Sequence, residues 1–194
     1  MPRAGITRAA VIARAEQIGD ERGLASLTLA EIARSLGIRQ PSLYKHVDGQ
    51  AEVLRVLATR ARLDLGAALS RAAVGRSGDD AVLALAMAYR DWALLHPGRY
   101  QATVRAPDPD DAEGMRSSGA VVDVVVAVLA GYGLAGSDAI DATRALRAAL
   151  HGFVSIELAQ GFGLPQDVDR SFALMVRALA RALAAWDPGA RSGQ

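Results

Sequence analysis

Apolar residues recur at helical spacing along almost the whole chain. The first such stretch runs from Thr7 to Arg22, where one face would carry Val11, Ala15 and Ile18. Thr7 suits an N-cap, and Gly23 suits a helix end. The hydrophobic period therefore predicts an amphipathic first helix.

A second helix is predicted to begin at Thr28. Glu31 follows three residues later, and this spacing is typical of a capping box in which each residue bonds the other's backbone. Gly37 ends the pattern after a single apolar face, which is formed by Leu29, Ile32, Ala33 and Leu36. Gln40-Pro41-Ser42 then opens a third, shorter helix, because proline is favoured in a first turn. Leu43 and Val47 would form its buried face.

The rest of the chain also shows helical periods. A long fourth helix is predicted from Asp48, followed by a linker at residues 75–78. Further helices are predicted at 79–95, 99–105, 118–132, 138–160 and 167–186, with an acidic loop at 106–114. The valines between residues 121 and 128 would also suit a buried strand, but no other segment offers a partner strand. We expect an all-α fold.

Composition excludes several classes of protein. There is no cysteine, which rules out disulfides and cysteine-based metal or redox sites. The three histidines are not at metal-ligand spacing, so we expect neither a metal nor a cofactor. The longest apolar stretch, residues 120–134, contains Asp123 and is short for a membrane span. The N-terminus lacks the apolar segment of a signal peptide, and we expect a cytoplasmic protein.

Charge is unevenly distributed although the net charge is only +1. Residues 1–76 carry 12 Lys/Arg against 7 Asp/Glu, whereas residues 77–194 carry 10 against 14. An excess of positive charge in one part of a chain indicates an anionic partner for that part. A solvated helix face can carry a similar excess, so charge alone does not decide between these readings.

The segment from Thr28 to His46 combines a helix, a tight glycine turn and a short helix, which is the pattern of a helix-turn-helix. Arginine recognises guanine and glutamine recognises adenine in the major groove, whereas Ser, Tyr and Lys more often hold phosphates. Its exposed polar residues would be Arg39, Gln40, Ser42, Tyr44, Lys45 and His46. These residue types favour contact with duplex DNA.

The stretch LTLAEIARSLGIRQPSLYKHVDGQAEVL, preceded by ERGLAS, resembles the N-terminal domain of the tetracycline-repressor (TetR) family of transcriptional regulators. The resemblance covers roughly residues 7–54. It departs from the family at Gln50, where a lysine is common, and at Val47, where phenylalanine is frequent. The resemblance implies these DNA-binding residues: Thr28, Arg39, Gln40, Pro41, Ser42, Leu43, Tyr44, Lys45 and His46.

The resemblance also implies an organisation for the whole chain. Residues 1–52 would bind DNA, 53–78 would connect, 79–187 would bind a ligand and dimerise, and 188–194 would form a disordered tail. HPGRYQATV and LRAALHGFVSIELAQGF resemble a family subgroup with a Trp/His-Gly signature, of which only His151-Gly152 is present here. Each candidate pocket residue also suits an ordinary core position, and the set is Met87, Trp92, Tyr100, Met115, His151 and Phe153.

The last two helices would form a four-helix bundle across a two-fold axis, unless their apolar faces are buried within one subunit. The candidate interface residues are Leu150, Val154, Glu157, Phe172, Met175, Val176, Leu179 and Leu183. Glu157 lies on an apolar stripe and would need a partner such as Arg177, unless it lies in water at the rim.

The expected function is a ligand-responsive regulator, most simply a repressor, that binds a palindromic DNA operator as a homodimer. A small molecule in the C-terminal domain would release it. An all-helical enzyme or carrier is the alternative, although the sequence shows no nucleophile–base pair and no phosphate-binding glycine loop, and we expect no enzymatic activity. A helical protein-interaction module is a third possibility, and it would not bind DNA.

Overall fold

The computed structural model describes residues 6–186, and every regular element in that range is helical. The α-helices are α1 (Arg8–Arg22), α2 (Leu29–Ser35), α3 (Gln50–Ala73), α4 (Gly78–Leu95), α5 (Pro97–Val104), α6 (Ala112–Leu129), α7 (Gly136–Leu158) and α8 (Val168–Ala184). Short 3-10 helices cover Leu24–Ser26, Gln40–Lys45 and Ala130–Tyr132. The predicted all-α class is confirmed. The predicted disordered tail, residues 188–194, lies outside the described residues.

Capping residues set several helix ends where the sequence predicts them. The Thr7 side chain accepts a hydrogen bond from the Ala10 N–H at 3.2 Å. Gly23 ends α1 with a φ of +79°, a backbone conformation that glycine adopts without strain. Asp167 begins α8 by accepting from the Asp169 and Arg170 N–H groups at 2.8 and 3.1 Å. These interactions are local, so the sequence alone identifies them.

Helix α6 begins earlier than predicted. The expected start was Ser118, but the helix begins at Ala112 within the acidic segment. Asp111 explains the difference, because its carboxylate accepts from the Gly114 N–H at 3.0 Å and its carbonyl accepts from the Met115 N–H at 2.8 Å. The valine-rich stretch that also suited a strand is therefore part of a helix.

One stretch of the described chain, Ala112–Tyr132, has the length and hydropathy of a membrane-crossing helix. Length and composition alone are weak support for a span, because the core helices of globular proteins meet the same criteria. This stretch also carries Glu113, Arg116 and Asp123, which are costly in a bilayer.

The chain forms two compact units. Among the described residues, the first contains the chain up to Asp64 and Leu95–Ser118, while the second contains Leu65–Leu94 and residues 119–186. This division differs from the predicted boundaries, which assign residues 95–118 to the ligand-binding part.

The first unit has a continuous aliphatic core beneath the predicted DNA-binding helices. Its buried members are Val11, Ile12, Ala15, Ile18, Leu27, Leu29, Ile32, Ala33, Leu43, Val47, Val53 and Leu57. Ala102 of α5 packs against this cluster. Helix α5 therefore belongs to the structure that supports the predicted DNA-binding segment.

Close backbone contact joins α5 to α1. A Cβ atom added at Gly98 would lie 2.0 Å from the Gly19 carbonyl oxygen, so only glycine allows this approach. The Arg99 N–H and side chain donate to the Asp20 carboxylate at 2.8 and 2.7 Å. The Arg99 guanidinium also contacts the His96 ring.

In the second unit, a buried arginine links three helices. Arg90 of α4 donates through two nitrogens to the Glu157 carboxylate of α7, at 2.7 and 2.5 Å. It also donates to Asp169 of α8 at 2.6 Å. The Arg90 side chain is only 6% exposed, so these partners compensate the loss of hydration of its charge. Tyr132 additionally donates its hydroxyl to Asp79 at 2.7 Å.

Candidate nucleic-acid interface

Helix α2 begins with a cap that matches half of the predicted capping box. The Thr28 hydroxyl accepts a hydrogen bond from the Glu31 N–H at 3.1 Å. The Glu31 carboxylate instead pairs with Arg22 at 2.5 Å and Arg34 at 2.6 Å. Both arginines hold the pKa of Glu31 below its ordinary value, with the Arg34 hydrogen bond as the main cause.

The turn after α2 is tight and depends on glycine. Gly37 has a φ of +67°, in the left-handed region. The Gly37 N–H donates to the Arg34 carbonyl at 3.2 Å, and the Ile38 N–H donates to the Ala33 carbonyl at 3.0 Å. This pair of bonds is the Schellman arrangement that ends helices. It brings the chain directly into the next helix.

The third helix, which we call the recognition helix, is the 3-10 segment Gln40–Lys45. Pro41 lies in its first turn, where no N–H is needed. Leu43 is its anchor, with 0% of the side chain exposed, and the His46 and Val47 N–H groups both bond the Leu43 carbonyl. Burying one leucine contributes about 1.5–3 kcal/mol, which helps to hold so short a helix in place.

Most of the other residues predicted to bind DNA are exposed. Arg39, Gln40, Pro41, Tyr44 and Lys45 are exposed, with Tyr44 at 57%. Ser42 and His46 are half-buried, and Thr28 is exposed at the start of α2. Leu43 is the exception among the predicted DNA-binding residues: its side chain is fully buried and supports the helix from within.

The start of α3 shows what replaces the lysine that is common in related sequences. The Gln50 side-chain amide donates to the Leu27 carbonyl at 2.8 Å, which ties α3 to the entry of α2. Glu52 pairs with Arg8 at 2.6 Å and accepts from the Asp48 N–H. These bonds lower the pKa of Glu52, chiefly through Arg8. Gln50 thus has a structural role here.

The predicted pocket residues are divided between the two units. Tyr100 and Met115 belong to the first, where Tyr100 is buried and Met115 is 48% exposed. Met87, Trp92, His151 and Phe153 belong to the second. Phe153 lines a cleft there, together with residues of the loop between α7 and α8. Their common role as a ligand pocket stays a prediction.

Most of the predicted interface residues are already covered within one chain. Those that are at most 4% exposed are Leu150, Val154, Phe172, Val176 and Leu183. The prediction that these side chains face a partner is therefore wrong, because the apolar face that the periodicity detects packs inside the second unit. Met175 and Leu179 are half-buried.

Glu157 has an arginine partner within its own chain, which is Arg90 and not the Arg177 that the sequence suggested across an interface. Its carboxylate binds Arg90 of the same chain with two hydrogen bonds, while Arg177 is exposed on α8. Residues 90 and 157 are far apart in the sequence, so periodicity gives no signal for this pair. Within residues 6–186, no group of three or more His, Asp or Glu side chains is arranged to hold a metal.

Comparison with known proteins identifies the family. A sequence profile described as the tetracyclin repressor-like C-terminal domain matches residues 82–179. An HTH-type transcriptional regulator, Rv0681 from Mycobacterium tuberculosis, is 40% identical over 167 residues, covering 86% of this chain and 75% of that protein. This chain belongs to the TetR family. It is therefore a transcriptional regulator with a helix-turn-helix, and the predicted family is confirmed.

Other relatives share the helix-turn-helix regulator class or the fold of this chain. The HTH-type transcriptional regulator YobS from Bacillus subtilis is 33% identical, covering 91% of this chain and 92% of that protein. A solved structure of a protein from Rhodococcus sp. RHA1 has a TM-score of 0.78 at 25% identity, covering 94% of this chain and 98% of the other. A TetR variant from Acinetobacter baumannii AYE, solved in complex with minocycline, shares the fold at 21% identity, with a TM-score of 0.71 and coverage of 93% and 98%.

Sequence reasoning missed the residues that join α5 to the DNA-binding helices of this TetR-family chain. Gly98 and Arg99 belong to the HPGRY stretch, which the resemblance assigns to the regulatory part. Their partners, Gly19 and Asp20, lie near the end of α1. The one signal in the sequence is Gly98, which follows Pro97 at the start of a helix, where a glycine is not needed as a cap.

Proposed function

We propose that this regulator binds a palindromic operator as a homodimer, represses transcription from it, and is released by a small molecule. The observation that carries the proposal is the recognition helix. Its buried Leu43 fixes it to the core, while Arg39, Gln40, Tyr44 and Lys45 remain exposed on an element short enough for a major groove.

The exposed residues would have two separate tasks. Arg39 and Gln40 are the side chains suited to reading base edges, and Lys45 and Tyr44 are suited to phosphates. Loss of a base contact reduces discrimination between sequences, by about 1–3 kcal/mol for each bidentate pair. Loss of a phosphate contact weakens binding to all sequences and reduces the salt dependence.

Dimerisation would place two recognition helices about 34–36 Å apart, so that they enter successive major grooves on one side of the DNA. The faces of α7 and α8 that remain uncovered support this. On α8 the exposed apolar positions include Leu174, Ala178 and Ala182, and on α7 they include Ile156, which is one turn from Gly152. We propose these positions for the interface, in place of the buried ones suggested by the sequence.

Release by a small molecule requires that the molecule binds one arrangement of the dimer more tightly than another. The minocycline complex of the Acinetobacter protein, which has the same fold, supports a ligand-responsive role in general. It does not identify the ligand of this chain. Repression in the cytoplasm follows from the same proposal, because the operator is chromosomal DNA.

The experiment is a fluorescence-anisotropy titration with the DNA upstream of the regulator's own gene. Arg39→Ala and Gln40→Ala are expected to bind that DNA less tightly and to discriminate poorly against a scrambled sequence. Lys45→Ala should weaken binding to both DNAs and reduce the salt slope by about one unit. Arg144→Ala, an exposed arginine of α7, is the matched control and should bind as the wild type does.

Two results would reject the proposal. One is binding by the Arg39, Gln40 and Lys45 variants that cannot be distinguished from binding by the Arg144 variant. The other is a flat dependence on salt, because contact with phosphates releases counterions and must be salt-sensitive. The carrier or enzyme alternative predicts that the wild type binds neither DNA.

A further inference from the structure

All three phenylalanines of the chain meet at one place in the second unit. Phe153 lies on α7, Phe172 on α8, and Phe162 in the loop that joins these helices. The ring centroids of Phe153 and Phe162 are 4.7 Å apart, and those of Phe153 and Phe172 are 5.1 Å apart. Phe172 is fully buried, whereas Phe162 is 38% exposed. The cluster therefore extends from the core to the surface.

A cleft of about 430 Å³ opens beside this cluster. It is lined by Phe153, Gly161, Phe162, Gly163, Leu164, Gln166, Val168 and Ser171. The volume lies in the range of small-molecule sites, and the lining combines aromatic and aliphatic surface with a few polar groups, as such sites commonly do.

The loop that forms one wall is fixed by the backbone. Gln160 has a φ of +55°, in the left-handed region that glycine normally occupies at a helix end. The Gln160 N–H donates to the Glu157 carbonyl at 2.9 Å, and the Gly161 N–H donates to the Ile156 carbonyl at 2.8 Å. This turn directs Phe162 back onto Phe153. Strained residues of this kind are enriched at ligand sites.

The charge around the cleft indicates which ligand it would accept. None of the eight lining residues is charged. The nearby carboxylates are engaged elsewhere, because Asp167 caps α8 while Glu157 and Asp169 pair with Arg90. The polar groups of the lining are the Gln166 amide and the Ser171 hydroxyl. That hydroxyl donates to the Asp167 carbonyl at 2.9 Å and keeps its lone pairs for accepting.

We propose that this cleft binds the effector of the regulator, and that the effector is a flat, uncharged and mainly apolar molecule with a hydrogen-bonding edge. The inference rests on the proposed function. The cleft is connected to α4 through two contacts. Phe153 lines the cleft and packs on Phe172, and the Arg90 guanidinium carbon lies 5.1 Å from the centre of the Phe172 ring. A ligand that moves Phe153 against Phe172 thereby acts on the Arg90 ion pairs.

The test uses two dyes that differ in one charged group. N-phenylnaphthylamine is flat, aromatic and uncharged, and anilinonaphthalene sulfonate carries the same rings with a negative charge. Fluorescence titration of the full chain is expected to show that the uncharged dye binds about tenfold more tightly or better. Equal or tighter binding of the sulfonate would overturn the assigned ligand class.

Gly163→Trp locates the dye. Gly163 lines the cleft, and a Cβ added there would meet no atom within 4 Å, so we expect an indole at this position to occupy cleft space without displacing the core. This variant should lower the affinity for the uncharged dye about tenfold or more. Ala159→Trp adds the same side chain at an exposed position outside the lining and should leave dye affinity unchanged. Equal dye affinity in both variants would place the dye elsewhere and reject the cleft.

Anisotropy with the upstream DNA separates this inference from the proposed function. The uncharged dye at saturation should change the operator affinity of the wild type about threefold or more, and should have no effect on Gly163→Trp. If the dye occupies the cleft without changing DNA affinity, the effector assignment is wrong. If the wild type binds no DNA but binds the dye as described, the proposed function fails and the cleft stands as a ligand site.

Sedimentation velocity tests whether a second copy of the chain, and not a small molecule, occupies the cleft. We expect Gly163→Trp and Ala159→Trp to sediment as the wild type does. A change in oligomeric state in Gly163→Trp alone would show that the cleft is an interface between copies of the chain, which would overturn the proposal.

Discussion

The two glycines at the contact between α1 and α5 should respond differently to substitution by alanine, because a Cβ has room at only one of them. At Gly98 an added Cβ would lie 2.0 Å from the Gly19 carbonyl oxygen and 2.7 Å from the Asp20 nitrogen. Both are backbone atoms, so no side-chain rotation relieves the clash. At Gly19 an added Cβ would lie 3.4 Å from Leu24 Cδ2, which is ordinary van der Waals contact.

The magnitude for Gly98→Ala follows from three effects. Inserting a methyl group into a packed contact costs about 1–3 kcal/mol. To avoid the clash, α5 must move by more than about 1 Å, which lengthens the Arg99–Asp20 hydrogen bonds, and a bond to a charged group contributes about 1.5–3 kcal/mol. Replacing glycine by alanine in a helix returns about 0.5–1 kcal/mol. Together these effects predict a net loss of stability of about 1.5–5.5 kcal/mol.

Gly19→Ala is the matched control, because it alters the same contact without the clash. The helix propensity term alone should make it neutral or stabilising by up to about 1 kcal/mol. Thermal unfolding, followed by circular dichroism, should show a Tm for Gly98→Ala that is roughly 3–22 °C below that of the wild type. The Tm of Gly19→Ala should be unchanged or raised. Hydrogen exchange should locate the loss of protection in α1 and α5.

Equal melting temperatures for the two alanine variants would refute the reasoning. So would a loss of protection in Gly98→Ala that is confined to helices of the second unit. Either result would mean that α1 and α5 are further apart than the 2.0 Å separation between an added Gly98 Cβ and the Gly19 carbonyl oxygen implies.

Three further predictions concern other parts of the chain. Gln160→Gly removes left-handed strain and should raise the Tm by about 2–4 °C, and an unchanged Tm would mean that the strain is absent. Burial, followed by the charge of Arg99, lowers the pKa of His96 below its ordinary value of 6.5. The contribution of the neutral His96 ring to stability is then fully present above pH 6.5 and is lost as the pH falls through the lower pKa of the folded state. Between about pH 7.5 and 5.5, the Tm of the wild type should therefore fall further than that of His96→Gln. Leu174→Asp places a charge on the exposed stripe of α8 and should yield monomers in sedimentation velocity; a persisting dimer would exclude that stripe as the interface.

Local features of this fold could be predicted from the sequence. The predicted caps at Thr7 and Thr28 depend on atoms within three residues, and the structure contains both. The outward face of the recognition helix follows from one apolar anchor among polar neighbours, and its exposure was expected. These features need no knowledge of tertiary partners.

Features that depend on distant partners could not be predicted. Periodicity identified the apolar faces of α7 and α8, but it does not tell whether another helix of the same chain or a second subunit covers them. Phe172 and Val176 are therefore buried within one chain despite their predicted place in the interface. Arg90 likewise lies far from Glu157 in the sequence, and nothing in either segment marks the pair.

The assignment of Leu95–Ser118 to the first unit has a consequence for domain dissection. A fragment that ends at residue 52 retains the helix-turn-helix but lacks α5, and with it the glycine contact and the carboxylate–guanidinium bonds that α1 makes. We expect such a fragment to be less stable than the same helices in the full chain. Chimaeras that exchange C-terminal parts between relatives should therefore keep the HPGRY segment together with the helix-turn-helix of the same parent.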